Sequence, residues 1–347
     1  MQTHDIGAIE MGHILLTGGA GYIGSHTGVE LLNAGHDIVV FDNFSNSHPE
    51  VLDRVEQITG KSVHLVRGDI RHQAELEAAI TTYDCQAVIH FACLKAVGES
   101  MERPLEYYEN NVLGTLQVLQ AMRATGVNTL IFSSSATVYG VPQYLPLKET
   151  HPLSATNPYA RSKLIIEDIL RDLHCANPEW RIGILRYFNP VGAHESGLIG
   201  EDPLGVPNNL MPFIAQVAVG RRNTLQVWGR DYPTPDGTGI RDYLHVVDLA
   251  IGHLLALQHL DTPQCLSLNL GTGTGYSVLE IVHAFEKSSG KTIPYEFAPR
   301  RTGDVASCYA DPSLALAVLG WKAERTLERM CEDTWRWQHH NIHGYRS

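Results

Sequence analysis

Tyr159 and Lys163 stand four residues apart in Asn157-Pro158-Tyr159-Ala160-Arg161-Ser162-Lys163, a segment whose proline suits the first turn of a helix. That spacing puts a phenol and an ammonium on one helix face. A phenol of pKa ~10 is a poor base at pH 7, but an ammonium ~4 Å away at an effective dielectric near 20 favours the phenolate by roughly 4 kcal/mol. Such a pair can take a hydroxyl proton and return it. An oxidised nicotinamide, also cationic, pulls in the same direction. The run Ser133-Ser134-Ser135 supplies hydroxyls that can bridge to an alcohol under oxidation. The chemistry these residue types suit is therefore reversible oxidation of an alcohol beside a nicotinamide dinucleotide.

The elements that must position them can be followed from His13 onward. The apolar run Ile14-Leu15-Leu16 breaks into Thr17-Gly18-Gly19-Ala20-Gly21-Tyr22-Ile23-Gly24 and resumes with helical spacing at Val29, Leu31 and Leu32, which predicts strand, tight turn and helix start. Gly19, Gly21 and Gly24 fit a dinucleotide fingerprint: one glycine for the turn, one for backbone approach to a pyrophosphate, one for close helix packing. The phosphates would sit on free N–H groups at the helix N-terminus. A second apolar strand closes on Asp42, about 20 residues past the glycines, where a carboxylate accepts bonds from a ribose 2′-OH. It would repel a 2′-phosphate, and Asn43-Phe44-Ser45-Asn46 offers no arginine to receive one, so NAD is favoured over NADP. Further strands are predicted at Val63–Val66, Ala87–Phe91 and Thr129–Phe132, with helices around Ala74–Ile80 and Asn111–Met122 between them. Alternating strands and helices predict a Rossmann-type, doubly wound parallel sheet whose ligands lie at the carboxyl ends of the strands. Asp69, Ile70, the segment Phe91 to Lys95 and the serine run all emerge at that edge.

With 347 residues the chain is long for one core, and the rhythm loosens after Phe188 into the proline- and glycine-rich stretch Gly200 to Pro212. The expected plan is an NAD-binding domain over 12–188 and a smaller mixed α/β substrate lobe over 189–347, with segments near 243–275 returning to the large domain. A formal net charge of −12 argues against a nucleic-acid or anionic-membrane surface. No apolar run reaches the 18 or so residues of a bilayer span, and the N-terminus lacks a signal-peptide core, so a cytoplasmic protein is expected. Its six cysteines are scattered without a Cys-x-x-Cys pair, which predicts reduced thiols. His339, His340 and His343 lack partner ligands and read as a solvated helix end, so no metal is expected. Residues 1–11 match no element and receive no role.

Thr17 to Gly24 together with Tyr159-x-x-x-Lys163 resembles the extended short-chain dehydrogenase/reductases. Within them, Leu94 to Ser100, Pro104 to Tyr108, Phe132 to Gly140 and Leu185 to His194 are similar to the UDP-glucose (UDP-galactose) 4-epimerases, in order and from about Gly12 to the C-terminus. The resemblance implies removal of hydride from sugar C4 onto NAD+ while Tyr159 takes the hydroxyl proton, then rotation of the 4-keto sugar and hydride return to its other face. By motif, Ser135 and Tyr159 touch the sugar, and Lys163 holds the nicotinamide ribose and tunes the phenol. The resemblance further implies that Gly18, Gly21, Tyr22, Ile23, Gly24, Asp42, Asn43, Phe44, Ser45, Asn46, Ser47, Asp69, Ile70, Phe91, Ala92, Cys93, Leu94, Lys95, Asn110 and Phe188 line the NAD site. On the UDP-sugar side it implies Lys95, Asn189, Asn209, Leu210, Gln226, Trp228, Arg241, Arg301 and Asp304, the arginines serving the pyrophosphate and Asp304 the ribose.

One position departs from the family pattern. Members restricted to glucose and galactose carry a tyrosine at the fourth position after Gly303-Asp304, where this chain has Cys308. A small side chain there leaves room for a 2-N-acetyl group, which extends the expected substrates to UDP-GlcNAc and UDP-GalNAc; the competing reading has Tyr309 filling the gap. A nucleotide-sugar 4,6-dehydratase would need an Asp-Glu pair where the sequence reads Ser135-Ala136-Thr137. A non-catalytic NAD-sensing module would typically lose the tyrosine or lysine that both remain. The resemblance further implies a homodimer through the helices at Asn111–Met122 and Tyr159–Cys175.

Overall fold

The computed structural model describes residues 12–301 and 303–346, so residues 1–11 lie outside the described residues. Four apolar runs form the centre of the large sheet: β1 (Ile14–Thr17), β2 (Ile38–Asp42), β4 (Ala87–His90) and β5 (Thr129–Ser135), every residue of them buried. Strands covered on both faces have no reason to alternate in polarity, and these do not. With β3 (His64–Arg67), β6 (Arg181–Tyr187) and β10 (Gln264–Leu270) they make a seven-stranded sheet in the order β10-β6-β5-β4-β1-β2-β3. Every pairing in it is parallel. The order reverses between β1 and β4, which opens a crevice at their carboxyl ends.

Helices cover both faces. On one side α1 (Tyr22–Asn33), α2 (Glu50–Thr59), α9 (Val246–His259) and α11 (Ser313–Leu319) enclose a core with Ile14, Leu16, Val40 and Ile89. On the other, α3 (Gln73–Thr82), α6 (Gly114–Thr125) and α7 (Pro158–Ala176) pack on Leu15, Val39, Val88, Leu130 and Ile184. Short helices α4 (Val97–Glu102) and α5 (Pro104–Tyr107) precede α6. The helix expected over Asn111–Met122 differs in its first turn, because Tyr108–Leu113 is wound as a π-helix. The wider turn accompanies an inward Asn111, whose side chain bonds the backbone of Leu94 and Ser162 Oγ.

The smaller lobe is mixed. One small sheet joins β7 (Asn189–Val191), β9 (Ile240–His245), β11 (Gly275–Ser277) and β13 (Ser307–Cys308), and a second pairs β8 (Leu225–Trp228) with β12 (Tyr295–Ala298). Helices α8 (Leu210–Ala218), α10 (Val278–Ser289) and α12 (Leu327–His340) close a third core around Ile214, Val227, Ile281, Phe285 and Met330. Of the 243–275 region, α9 and β10 lie on the large sheet, whereas Tyr243 sits in β9 of the small one. His339 and His340 end α12 exposed, as is His343 beyond it.

Candidate active site

The glycine turn is a cradle with no room for side chains. A Cβ on Gly18, whose φ is +70°, would stand 2.7 Å from the Ala92 nitrogen, and one on Gly24 would stand 2.6 Å from the Gly18 oxygen. Gly21 caps α1 without a side-chain bond, and the first turn carries no acidic residue, so among the described residues the N–H groups of that turn have no partner. Asp42 ties the cradle to its rim. Its Oδ2 accepts from Ala20 N at 3.0 Å, and its Oδ1 from Phe44 N at 2.8 Å and Ser47 Oγ at 2.9 Å. That leaves about one of a carboxylate's four acceptor positions for a ribose. Burial pushes the Asp42 carboxyl up, against those three bonds. Free helix N–H groups, a space that any Cβ would fill and a strand-end carboxylate together fit a dinucleotide.

The remaining rim residues divide by what they touch. Asn43 donates to Asp69 Oδ2 at 3.1 Å, and hydrogen bonds from Arg71 hold the Asp69 carboxyl far below the usual carboxylate range. Ser45 N donates to Asn43 Oδ1, and Asn46 Oδ1 accepts from Leu204 N across the lobes. Phe91 N and Ala92 N both donate to Thr17 O, and Cys93 Sγ to Leu94 O. Ile23 is half-buried against the first core, and Phe188 is buried beside Ala136 and Cys308. Two side chains point elsewhere: the Tyr22 hydroxyl donates to Gly192 O at 2.7 Å, and Ile70 is buried under Gly114.

α7 starts as its sequence dictates. Asn157 Oδ1 accepts from Ala160 N at 2.9 Å and Pro158 opens the first turn. It presents Tyr159, Ser162 and Lys163 buried against the end of β5. Lys163 Nζ donates to Ser133 O at 2.6 Å and lies 4.7 Å from the Phe132 ring centre. Ser133 Oγ in turn accepts from the Tyr187 hydroxyl. Ser135 Oγ accepts from Thr137 N and Thr137 Oγ1, and its hydrogen bond is the leading influence favouring a Tyr159 phenolate. The sum nevertheless differs from the sequence expectation, since burial drives the Tyr159 pKa well above that of a free phenol and Cys93 adds to the rise. The physical reason is that desolvation acts on the whole phenolate and outweighs the Ser135 hydrogen bond.

Opposite this edge, pairing in the smaller lobe gathers the other predicted residues. Cys308 pairs with Arg241 across β13 and β9, and Asn189 with Tyr243 across β7 and β9. Arg241 Nη2 lies 3.8 Å from Asp304 Oδ1. β8 carries Gln226 and ends in the exposed Trp228, over whose ring the Arg301 guanidinium stands at 4.8 Å. Asn209 precedes Leu210, the first residue of α8. Its Nδ2 donates to Glu201 Oε1 at 2.9 Å, the oxygen that also pairs with Lys95 at 3.4 Å. Burial pushes the Cys308 thiol up to about 11.

Several supporting residues were missed by the sequence reading. Asn111 rather than Asn110 joins the β4 rim to α7; Asn110 donates to Asn111 Oδ1. His90 links Thr17 Oγ1, 2.6 Å away, to Thr115 Oγ1 at 2.9 Å. Asp242 accepts from Thr272, Gly273 and Ala310 and holds their loops beside Arg241. Adjacency to Asn110 and Arg241 was the available signal for two of them. Nothing in the sequence marked His90 or Glu201. Among the described residues no group of His, Cys, Asp and Glu is placed to hold a metal ion, and no helix is long and apolar enough to cross a membrane.

Comparison with known proteins adds to this geometry. The family model described as GDP-mannose 4,6 dehydratase matches residues 15–334. A Bacillus subtilis UDP-glucose 4-epimerase is 59% identical over 335 residues, 96% of this chain and 99% of that protein. The crystal structure of a Bifidobacterium longum UDP-glucose 4-epimerase in complex with NAD+ and UDP superposes with a TM-score of 0.94 at 55% identity, covering 96% of this chain and 99% of that one. A Campylobacter jejuni UDP-Glc/GlcNAc 4-epimerase superposes at 0.82 with 38% identity over 95% and 99% of the two chains.

Proposed function

The chain belongs to the UDP-glucose 4-epimerases, NAD-dependent isomerases of nucleotide sugars, and from that premise we propose how its residues divide the work of inverting a sugar at C4. The observation that carries the reading is the meeting of the glycine cradle, Ser135 and Tyr159 at one sheet edge, with Asn189, Arg241 and Cys308 gathered on the facing lobe. NAD, when bound, supplies an acceptor for hydride and gives it back. The unclaimed N–H groups of the first turn of α1 hold the pyrophosphate and Asp42 the ribose. Tyr159 takes the proton from the C4 hydroxyl at its own oxygen and returns it, with Ser135 bridging phenol and sugar. Lys163 fixes the ribose beside them, and its charge together with that of the oxidised ring opposes the desolvation that keeps the free phenol protonated. Arg241, Arg301 and Asn209 hold the UDP portion and leave the sugar free to turn. A dehydratase reading lacks its carboxylates, since Ala136 and Thr137 occupy their positions.

To test this, purified holoenzyme is mixed with UDP-galactose without added reductant. UDP-glucose accumulates to equilibrium, and Tyr159→Phe that still carries NAD loses at least 100-fold in kcat. Parental turnover in that variant refutes the assignment.

The same site extends to 2-acetamido sugars. What supports this reading is that Cys308 is partly buried against the cluster holding Ala136, Phe188 and Ala310, while the Tyr309 ring lies beside Gly275. The relative from Campylobacter is described as acting on GlcNAc as well as glucose. Cys308→Tyr is expected to abolish UDP-GlcNAc turnover and keep that of UDP-galactose. If the parent enzyme ignores UDP-GlcNAc, or the variant still accepts it, the gate reading fails. The protein further pairs with a second copy through the helices at Asn111–Met122 and Tyr159–Cys175, where Leu113 stands exposed, and works in the cytoplasm with its six thiols unpaired. Light scattering that gives one chain's mass would remove the dimer.

A further inference from the structure

Beneath the strand end that carries Ser135, a set of polar side chains is sealed from solvent. Glu167 of α7, Arg186 of β6, Ser134 of β5, Tyr139 from the turn after β5 and Asn269 of β10 are each at most 2% exposed. Arg186 grips Glu167 with a two-pronged fork, Nε to Oε1 at 2.9 Å and Nη2 to Oε2 at 2.6 Å. Ser134 Oγ donates to the same Oε1 at 2.6 Å, and Arg171 donates to Oε2 at 2.6 Å from the next turn of α7. The other arm of Arg186 donates to the Tyr139 oxygen at 3.1 Å, and Tyr139 donates onward to Asn269 Oδ1 at 2.6 Å.

Stability does not account for this arrangement. Withdrawing a carboxylate and a guanidinium from water offsets most of their attraction, and apolar replacements of equal size are often as stable or more so. Here burial opposes the ionised carboxyl, yet the Arg186 fork and the Ser134 hydroxyl still hold Glu167 below the usual carboxylate range. What the network does possess is directionality. Glu167 lies one turn beyond Lys163 and two beyond Tyr159 on α7, so all three share a face. Ser134 is the neighbour of Ser135, and Arg186 is paired with it across β5 and β6. A leucine-on-leucine contact tolerates a slide of α7 along the sheet, whereas a bidentate fork with a third donor tolerates very little.

We propose that the Glu167–Arg186 fork, with Ser134, is a positioning device for the reaction: it locks α7 in register with the ends of β5 and β6 and so sets where the Tyr159 hydroxyl stands relative to Ser135. The proposal rests on Tyr159 and Ser135 being the reacting pair. The decisive variant is the double substitution Glu167→Leu with Arg186→Met, which removes both charges while keeping the volume. Expected are an unchanged or higher Tm, parental NAD content, a KM for UDP-galactose within two-fold of the parent, and a kcat about 10- to 100-fold lower. A purely structural network would leave kcat at the parental value once the fold is stable, and that result overturns the proposal. If the double variant does not fold, Ser134→Ala decides, with a kcat loss of about 3-fold or more expected at constant KM; parental kcat there refutes the positioning role. Arg186→Lys, which keeps the charge without the fork, is expected not to rescue kcat. Tyr159→Phe in the intact network separates the two claims, because full activity in that variant sinks the acid/base assignment and not the geometry of the fork.

Discussion

Replacing Gly24 by alanine adds one methyl group at the point where α1 meets the glycine turn. That carbon would stand 2.6 Å from the Gly18 oxygen and 2.7 Å from the Gly19 Cα, both backbone atoms that cannot rotate aside. The turn is itself anchored, with Gly18 N donating to Phe41 O at 2.8 Å and Gly21 N to Gly18 O at 3.0 Å. The start of the helix must therefore lift by about 0.8 Å to reach ordinary contact. Overpacking of this kind costs about 1 to 3 kcal/mol, and the alanine returns about 1 kcal/mol of helix propensity. The net loss is about 1 kcal/mol, or a few degrees in Tm for a domain of this size. The larger effect falls on the dinucleotide, because the same shift moves the N–H groups that receive its phosphates, and we expect NAD per purified chain to drop at least ten-fold. NAD released on denaturation and scanning calorimetry measure both. Gly28→Ala in the same helix is the control: its Cβ meets only the tips of Ile38 at 3.1 Å and Leu16 at 3.7 Å, which can turn away, so NAD should be retained. Full NAD content and a parental Tm in Gly24→Ala would refute the cradle argument.

Other outcomes follow from the same physics. Asp42→Ala strands the N–H groups of Ala20 and Phe44 and should cost about 2 kcal/mol along with most of the bound NAD, whereas Asp42→Asn, which keeps an acceptor, should lose less on both calorimetry and NAD content. Arg301→Ala should weaken UDP about ten-fold in a calorimetric titration, and Arg301→Lys should recover only part, because an ammonium cannot stack flat on Trp228. Burial raises the Tyr159 pKa, so its contribution to stability is complete below the ordinary phenol pKa near 10 and is lost as pH climbs through the raised value. The alkaline fall of Tm above pH ~10 should accordingly be shallower in Tyr159→Phe, and identical curves would contradict the burial argument. On the acid side His26 and His90 are lowered to about 3 and His253 to about 4, all by burial. They favour the fold above pH ~6.5 and withdraw that support as pH falls toward their lowered values, which thermal melts between pH 7 and 4 would register as a declining Tm.

The parts of the molecule that could be read from the chain are those governed by neighbours in sequence. Apolar runs at 14–16, 38–41, 87–89 and 130–132 became the central strands because a strand buried on both faces is defined by its own few residues. The cradle was visible in part for the same reason, since the fit of Gly21 and Gly24 depends on atoms within a few positions, whereas the space at Gly18 is closed by Phe91 and Ala92, just past the end of a strand far along the chain. Asn157 and Pro158 announced the start of α7 by local capping rules. Where the reading was coarse, the cause was local too: a helix expected over 111–122 says nothing about the π-turn that aims Asn111 inward.

Residue types and spacing along the chain specify a nucleotide-binding α/β protein with a phenol and an ammonium one helical turn apart. The protonation and surroundings of those groups are set by how distant segments pack around them. Burial of Tyr159 sums over every element packed around it, and it reverses the direction that Lys163 alone would give. The fork between Glu167 and Arg186 joins residues 19 positions apart, and the oxygen shared by Lys95 and Asn209 belongs to a residue 106 positions from the first of them. Periodicity and spacing report on the chain within about one turn or one strand, whereas desolvation and paired charge depend on which distant segments the fold brings together.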